Sequence, residues 1–148
     1  MPGSFRRSLR FLFIHCFSVQ TLSFFTRIRQ LNATVEKDYL FIGNSRGVAR
    51  PCVLWAAQDK LPLKIWGAGW KAMLGPDKIM VQDVFIENSQ IPALYRSARV
   101  TLNDHWKDML DYQFVNNRIF DALACGLPVI SDCCDELRGN LSGSSAVL

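Results

Sequence analysis

An α/β domain built on a parallel sheet with helices on both faces is the fold this sequence predicts. Short apolar runs of strand length recur along the chain, at Tyr39–Ile42, Leu63–Trp66, Arg99–Leu102 and Leu127–Ile130. Stretches with apolar residues at helical spacing separate them, and the loops that close them are rich in Gly, Asn and Asp. Strands that are apolar throughout are buried on both faces, and parallel neighbours need a crossover, usually a helix.

Tyr39–Ile42 is stopped by Gly43-Asn44-Ser45-Arg46-Gly47, and a helix follows from Arg50 to Asp59 with its apolar positions on one side. The second strand, Leu63–Trp66, runs into Gly67-Ala68-Gly69-Trp70. After a Gly75-Pro76-Asp77 turn, Val81–Ile86 reads as a third extended segment. Ser89 is the expected N-cap of a helix whose Ile91, Leu94, Tyr95 and Ala98 share a face, leading to the fourth strand at Arg99–Leu102. A polar and aromatic loop precedes a helix from Asn117 to Cys125, closed by Gly126, and Leu127–Ile130 is the fifth strand.

With 148 residues, 49% hydrophobic and 20% charged, the chain has the size and composition of one globular domain. Its net charge of +4 is concentrated at the start. The first thirty residues hold five Arg and no acid, and the remainder holds twelve basic and thirteen acidic groups. A face for a phosphodiester backbone needs clustered cations, so nucleic acid is not expected as a partner. Five cysteines without CxxC spacing, and His105 as the one histidine beyond residue 37, suggest neither a zinc site nor a disulfide framework. They fit reduced core cysteines in a cytoplasmic protein. Residues 1–37 form an N-terminal apolar segment. Its Arg-rich start and Phe11–Phe17 run have the outline of a signal peptide but lack a small-x-small cleavage site and are too short to span a membrane, so a helix with one apolar face is expected over the alternative of a targeting role, without membrane association. Residues 38–138 are the domain proper, and 139–148, with Ser142-Gly143-Ser144-Ser145, read as a loose tail.

In such sheets a ligand lies at the carboxyl ends of the strands, so the loops after Ile42, Trp66, Leu102 and Ile130 should meet one crevice. Gly43-Asn44-Ser45-Arg46 offers a permissive backbone and a guanidinium for a diphosphate, or else a simple turn with a solvated Arg. Gly67-Ala68-Gly69 lacks the third glycine of a dinucleotide fingerprint and more simply permits a close approach. Asn103 and His105 can hydrogen-bond a sugar or base and Trp106 can stack, although an Asx-type turn with a half-buried Trp explains the same residues. His105 is an acid or base candidate without a located partner. In the stretch from Asn116 to Asp132, Asn117 and Arg118 stand at a helix start suited to phosphate, and Asp121 lies one turn on, suited to ribose hydroxyls. The alternative is an i, i+3 surface pair between Arg118 and Asp121.

Asn117 to Asp132 resembles the signature of retaining glycosyltransferases with two Rossmann-like domains (GT-B type, glycosyl transferases group 1), in which Glu-x7-Glu precedes an Ala-x-Gly-x-Pro-Val segment. With Phe41-Ile42-Gly43-Asn44-Ser45-Arg46, Trp66-Gly67-Ala68-Gly69-Trp70 and Leu102-Asn103-Asp104-His105-Trp106, the chain resembles the spore-maturation (CgeB-like) subgroup in particular, from about Asp38 to Arg138. The resemblance implies the C-terminal, donor-binding half of an enzyme that moves a sugar from a nucleoside-diphosphate-sugar to an acceptor. No cofactor beyond that co-substrate, and no metal, is implied. Donor nucleotide and phosphate contacts are implied for Gly43, Asn44, Arg46, Gly67, Gly69, Asn103, Asn117, Arg118 and Asp121, with sugar or base contacts at His105, Trp106 and Gln113. The second Glu of the family pair, which contacts the ribose, matches Asp121, and the first matches the uncharged Gln113. No catalytic residue is assigned. The acceptor domain such enzymes carry ahead of this one is more than residues 1–37 can supply, and the helices that follow are missing after Arg138. A rival reading is a non-catalytic nucleotide-binding or protein-interaction module docking through a sheet edge or the N-terminal helix. A dehydrogenase-like protein is disfavoured by the absence of Gly-x-Gly-x-x-Gly after the first strand.

Overall fold

The protein's structure, a computed structural model, describes residues 14–16, 38–75 and 80–132. Six strands form one sheet, paired in parallel throughout: β1 Ile14–Cys16, β2 Tyr39–Ile42, β3 Leu63–Trp66, β4 Val81–Asp83, β5 Val100–Asn103 and β6 Val129–Ser131. Their order is β1-β6-β5-β2-β3-β4. The described helices are α1 Pro51–Gln58, α2 Trp70–Leu74, α3 Ile91–Ser97, α4 Lys107–Asp111 and α5 Asn117–Ala124. The expected α/β, Rossmann-like parallel sheet is therefore present.

Side chains alternate across each strand, and both faces are covered. On one face Tyr39, Phe41, Leu63, Ile65, Leu102 and Ile130 pack with Cys52, Val53, Ala56 and Ala57 of α1 and with Trp70 and Leu74 of α2. On the other, Leu40 and Val129 pack with Tyr95 of α3 and with Ile119 and Ala122 of α5. Pro51 starts α1, where its missing N–H costs nothing. Helix α5 is capped at both ends. The Asn116 side chain accepts from the Arg118 N–H, and Gly126 at φ 73° lets Gly126 N and Leu127 N donate to Leu123 O and Ala122 O, a Schellman closure.

From β2 the chain moves to β3 and β4 on one side, then returns to lay β5 and β6 on the other. The strand order thus reverses between β2 and β5, and the crevice of such a sheet opens at the carboxyl ends of the strands there.

Several expectations are corrected. Within the N-terminal segment read as a helix, Ile14–Cys16 is a strand on β6, with Ile14 beside Val129 and Cys16 beside Ser131. A short apolar run suits a buried strand as well as a helix, and the unfilled edge of β6 decides between them. The remainder of residues 1–37 and the proposed tail lie outside the described residues. The third extended segment ends at Asp83, whose carboxylate accepts the Val84 N–H at 2.6 Å, so Val84–Ile86 leave the sheet as a loop. Helix α3 is preceded by Gln90, one residue beyond Ser89, and makes no side-chain cap bond. Strands β5 and β6 reach Asn103 and Ser131, one residue further than expected. Among the described residues no helix is long and apolar enough to cross a membrane.

Candidate functional site

The loops after β2 and β3 brace one another. Gly43 N donates to Trp66 O at 2.8 Å, Ser45 N to Ala68 O at 3.0 Å, and Ala68 N to Asn44 Oδ1 at 2.8 Å. The Trp70 indole N–H donates to Gly43 O at 2.6 Å. This brace requires glycine. At Gly67 a Cβ would stand 2.2 Å from Gly43 O, and at Gly69 it would stand 2.3 Å from Ser45 Oγ. Gly67-Ala68-Gly69 thus serves a close approach of backbone to backbone, which holds the first loop at the crevice. Gly69 and Gly47 both have positive φ, 84° and 72°, but nothing lies within 4 Å of a Cβ on Gly47. Gly47→Ala is expected to cost about 1–2 kcal/mol for the left-handed backbone alone. Gly69→Ala is expected to cost a further ~1–3 kcal/mol from crowding Ser45, which urea denaturation of the two variants would measure.

Five of the expected donor-site residues, Gly43, Asn44, Gly67, Arg118 and Asp121, line one crevice of about 330 Å³. Helix α5 brings the last two to it. Ile119 and Ala122 are buried, which turns the Arg118 and Asp121 side of α5 toward the loops. The Arg118 guanidinium lies across Gly43, so close that a Cβ there would be 2.7 Å from Nη1. Among the described residues Arg118 makes no ion pair, and the i, i+3 pairing with Asp121 does not form. Burial lowers the Arg118 pKa, and the neighbouring Arg50 and Arg46 charges lower it further against Tyr95 and Asp104. The Tyr95 hydroxyl is pushed up to about 12, chiefly by its own burial. A half-buried guanidinium with no carboxylate partner among the described residues favours an anion from solution.

The opposite wall is one the sequence reading missed. Val84, Phe85, Ile86 and Asn88, all beyond β4, line the same crevice, and Phe85 is 65% exposed. Their signal was an apolar run leaving a strand, hidden when Val81–Ile86 was read as extended throughout.

Beside the crevice lies a buried charge pair. Arg50, ahead of α1, is 3% exposed and ion-pairs with Asp104, just past β5, donating also to Asp104 O at 2.6 Å. Cys52 Sγ donates to Asp104 Oδ2 at 3.3 Å. Trp106 carries both neighbouring cations, with Arg50 Cζ 4.0 Å and Arg46 Cζ 5.2 Å from the ring centroid. Arg46, at φ 50°, therefore reaches the indole, and the exposed surface that sugar stacking on Trp106 would need is shared with guanidinium groups.

The remaining predicted residues take other places. Asn103 is buried and donates to Ser131 Oγ at 2.8 Å, across the ends of β5 and β6. The His105 side chain is fully buried, with both ring nitrogens engaged by protein, so it presents no free atom to a sugar. Gln113 is exposed at φ 61° and donates to Leu110 O at 3.1 Å, closing α4. Asn117 is the exposed first residue of α5, and the helix N-terminus is partly used up, since Asn116, Arg118 and Ile119 N–H groups all bond within the protein. The Arg118 side chain, more than the helix amides, is the donor that faces the crevice.

Residues 50–147 match the family described as Glycosyl transferase-like. No curated protein and no solved structure matches the chain.

Proposed function

Since the chain belongs to the Glycosyl transferase-like family, we propose that the crevice at the carboxyl ends of β2, β3 and β4 holds the nucleoside-diphosphate-sugar donor of a sugar transfer. The observation that carries this reading is the Arg118 guanidinium over Gly43, without an ion-pair partner among the described residues, with the Asp121 carboxylate one turn away on the same wall. A cation and a carboxylate one helical turn apart suit a phosphate and the two hydroxyls of a ribose. Val84, Phe85 and Ile86 supply the apolar surface on which a flat base can lie.

In the reaction, the bond between the sugar anomeric carbon and the diphosphate oxygen breaks and a bond to an acceptor hydroxyl forms, that hydroxyl's proton passing to the departing diphosphate. Charge grows on the leaving diphosphate. Arg118 stabilises that charge more than it does the bound donor, which is the differential binding that lowers a barrier. Arg46, which lies on Trp106 and whose charge is felt at Arg118, is the second cation of this proposal. The finer assignment is the donor half of a two-domain enzyme resembling the spore-maturation subgroup and working in the cytoplasm. Its acceptor is met on a surface outside this domain, and the chain by itself need not turn over.

Calorimetric titration of the purified chain with UDP, GDP, ADP and their sugar conjugates tests this. One nucleotide should bind selectively. Asp121→Ala should weaken it by roughly 10–150-fold or more, since a hydrogen bond to a charged acceptor is worth about 1.5–3 kcal/mol net. A folded chain that binds none of them has no donor site, and the rival interaction module then takes its place.

A further inference from the structure

We propose that His105 is a positioning residue, a neutral imidazole with its proton on Nδ1 that ties the start of α5 to the strand ends and so places Arg118 and Asp121; this rests on the donor-site reading above. The two ring nitrogens have different partners. Nδ1 lies 2.5 Å from Asp132 Oδ1, and Nε2 lies 3.0 Å from the backbone nitrogen of Asn116. A backbone N–H can only donate, so Nε2 must accept and carries no hydrogen. The one proton of the ring is therefore on Nδ1, where Asp132 receives it.

Asp132 is itself fixed. It accepts the His105 backbone N–H at 3.0 Å from both carboxylate oxygens and the Ser131 hydroxyl at 3.3 Å. The chain of bonds thus runs from the end of β6, through the imidazole just past β5, to Asn116, which in turn caps α5 by accepting the Arg118 N–H at 3.0 Å. Every link is a group that the sheet holds or that the helix begins with. Helix α5 has Ile119 and Ala122 fully buried and Leu123 packed against the same core, apolar contacts that are not directional, and the imidazole adds a directional bond at its first turn. Freedom of about an ångström matters here, because the Arg118 guanidinium meets Gly43 at contact distance and misplacement on that scale costs about 10²-fold in catalysis. The imidazole is buried away from the crevice lining, which separates this role from contact with substrate.

The test is nitrogen-15 NMR of the unmodified full chain, whose only two histidines are His15 and His105. Removing either one assigns the spectrum. His105 should show a protonated Nδ1 and a bare Nε2, the tautomer that free histidine disfavours. An Nε2-protonated ring, or one exchanging between tautomers, overturns the proposal. His105→Phe keeps the ring volume and removes both bonds, and His105→Gln restores an acceptor for Asn116 and a donor for Asp132. In the Phe variant, checked as folded by circular dichroism, the Asn116 amide and Arg118 Nε resonances should shift, and nucleotide affinity should fall about tenfold or more. The Gln variant should recover both to within about threefold. Unshifted resonances in a folded Phe variant also overturn the proposal. If the unmodified chain binds no nucleotide while the tautomer and the resonance shifts are as stated, the donor reading fails and the positioning of α5 stands.

Discussion

Arg118→Ala is expected to weaken nucleotide-diphosphate binding by about 10- to 150-fold while leaving the melting temperature nearly unchanged. A hydrogen bond from a guanidinium to phosphate is worth about 1.5–3 kcal/mol net, and each 1.4 kcal/mol is tenfold in affinity. Stability should be spared for a structural reason. Arg118 makes no ion pair among the described residues, so its removal strands no carboxylate, and the guanidinium rests on Gly43, a residue with no side chain to lose contact. Arg118→Lys should recover only part of the affinity, since an ammonium keeps the charge without the planar fork. Calorimetric titration beside a thermal melt separates the two quantities. Unchanged affinity in the Ala variant would falsify the phosphate assignment, and a large fall in melting temperature would instead mark Arg118 as a structural cation.

Asp104→Ala has the opposite signature, with stability lost first. Asp104 and Arg50 are 4% and 3% exposed, and truncating one member of a buried pair leaves the other charge without compensation at a cost of about 3–5 kcal/mol. For a domain of this size that is a fall of more than about 10 °C in melting temperature. Asp104→Asn should fall between, because the amide still accepts from Arg50 without matching its charge. The double change of Arg50→Met with Asp104→Leu should recover much of the loss, since apolar replacement of a buried pair is often neutral. Burial, with the adjoining Asp104 carboxylate adding to it, holds the Cys52 thiol well above its ordinary pKa. Cys52 should therefore resist alkylation in the native chain and react faster in Asp104→Ala, where the carboxylate is gone and the cation remains. Equal alkylation rates with unchanged stability would show that the pair contributes nothing.

The same two residues show where reading the sequence stops. The placement of Arg118 was legible because it is local, a cation at the start of an amphipathic helix that Gly126 closes, followed at one turn by Asp121. Arg50 and Asp104 are 54 positions apart, and their pairing follows from which strands are neighbours. His105 was read as an acid or base without a partner, and the structure supplies two partners, Asp132 from beyond β6 and the backbone of Asn116. Phe85 was hidden by a different cause, since a run of apolar residues looks the same whether it continues a strand or turns off its end.

Alternating strand and helix periodicity and the glycines of the close loops were therefore determined by the sequence alone, because each depends on residues within a few positions of one another; of the four loops expected at one crevice, those after Ile42 and Trp66 line it and those after Leu102 and Ile130 do not. The tertiary structure decided the sixth strand at Ile14–Cys16, the burial of Arg50 with Asp104, and the withdrawal of Asn103 and His105 from the crevice. These rest on contacts between distant segments, which exist only once register and strand order have been chosen, and a buried polar group takes whichever partner the neighbouring strand then presents.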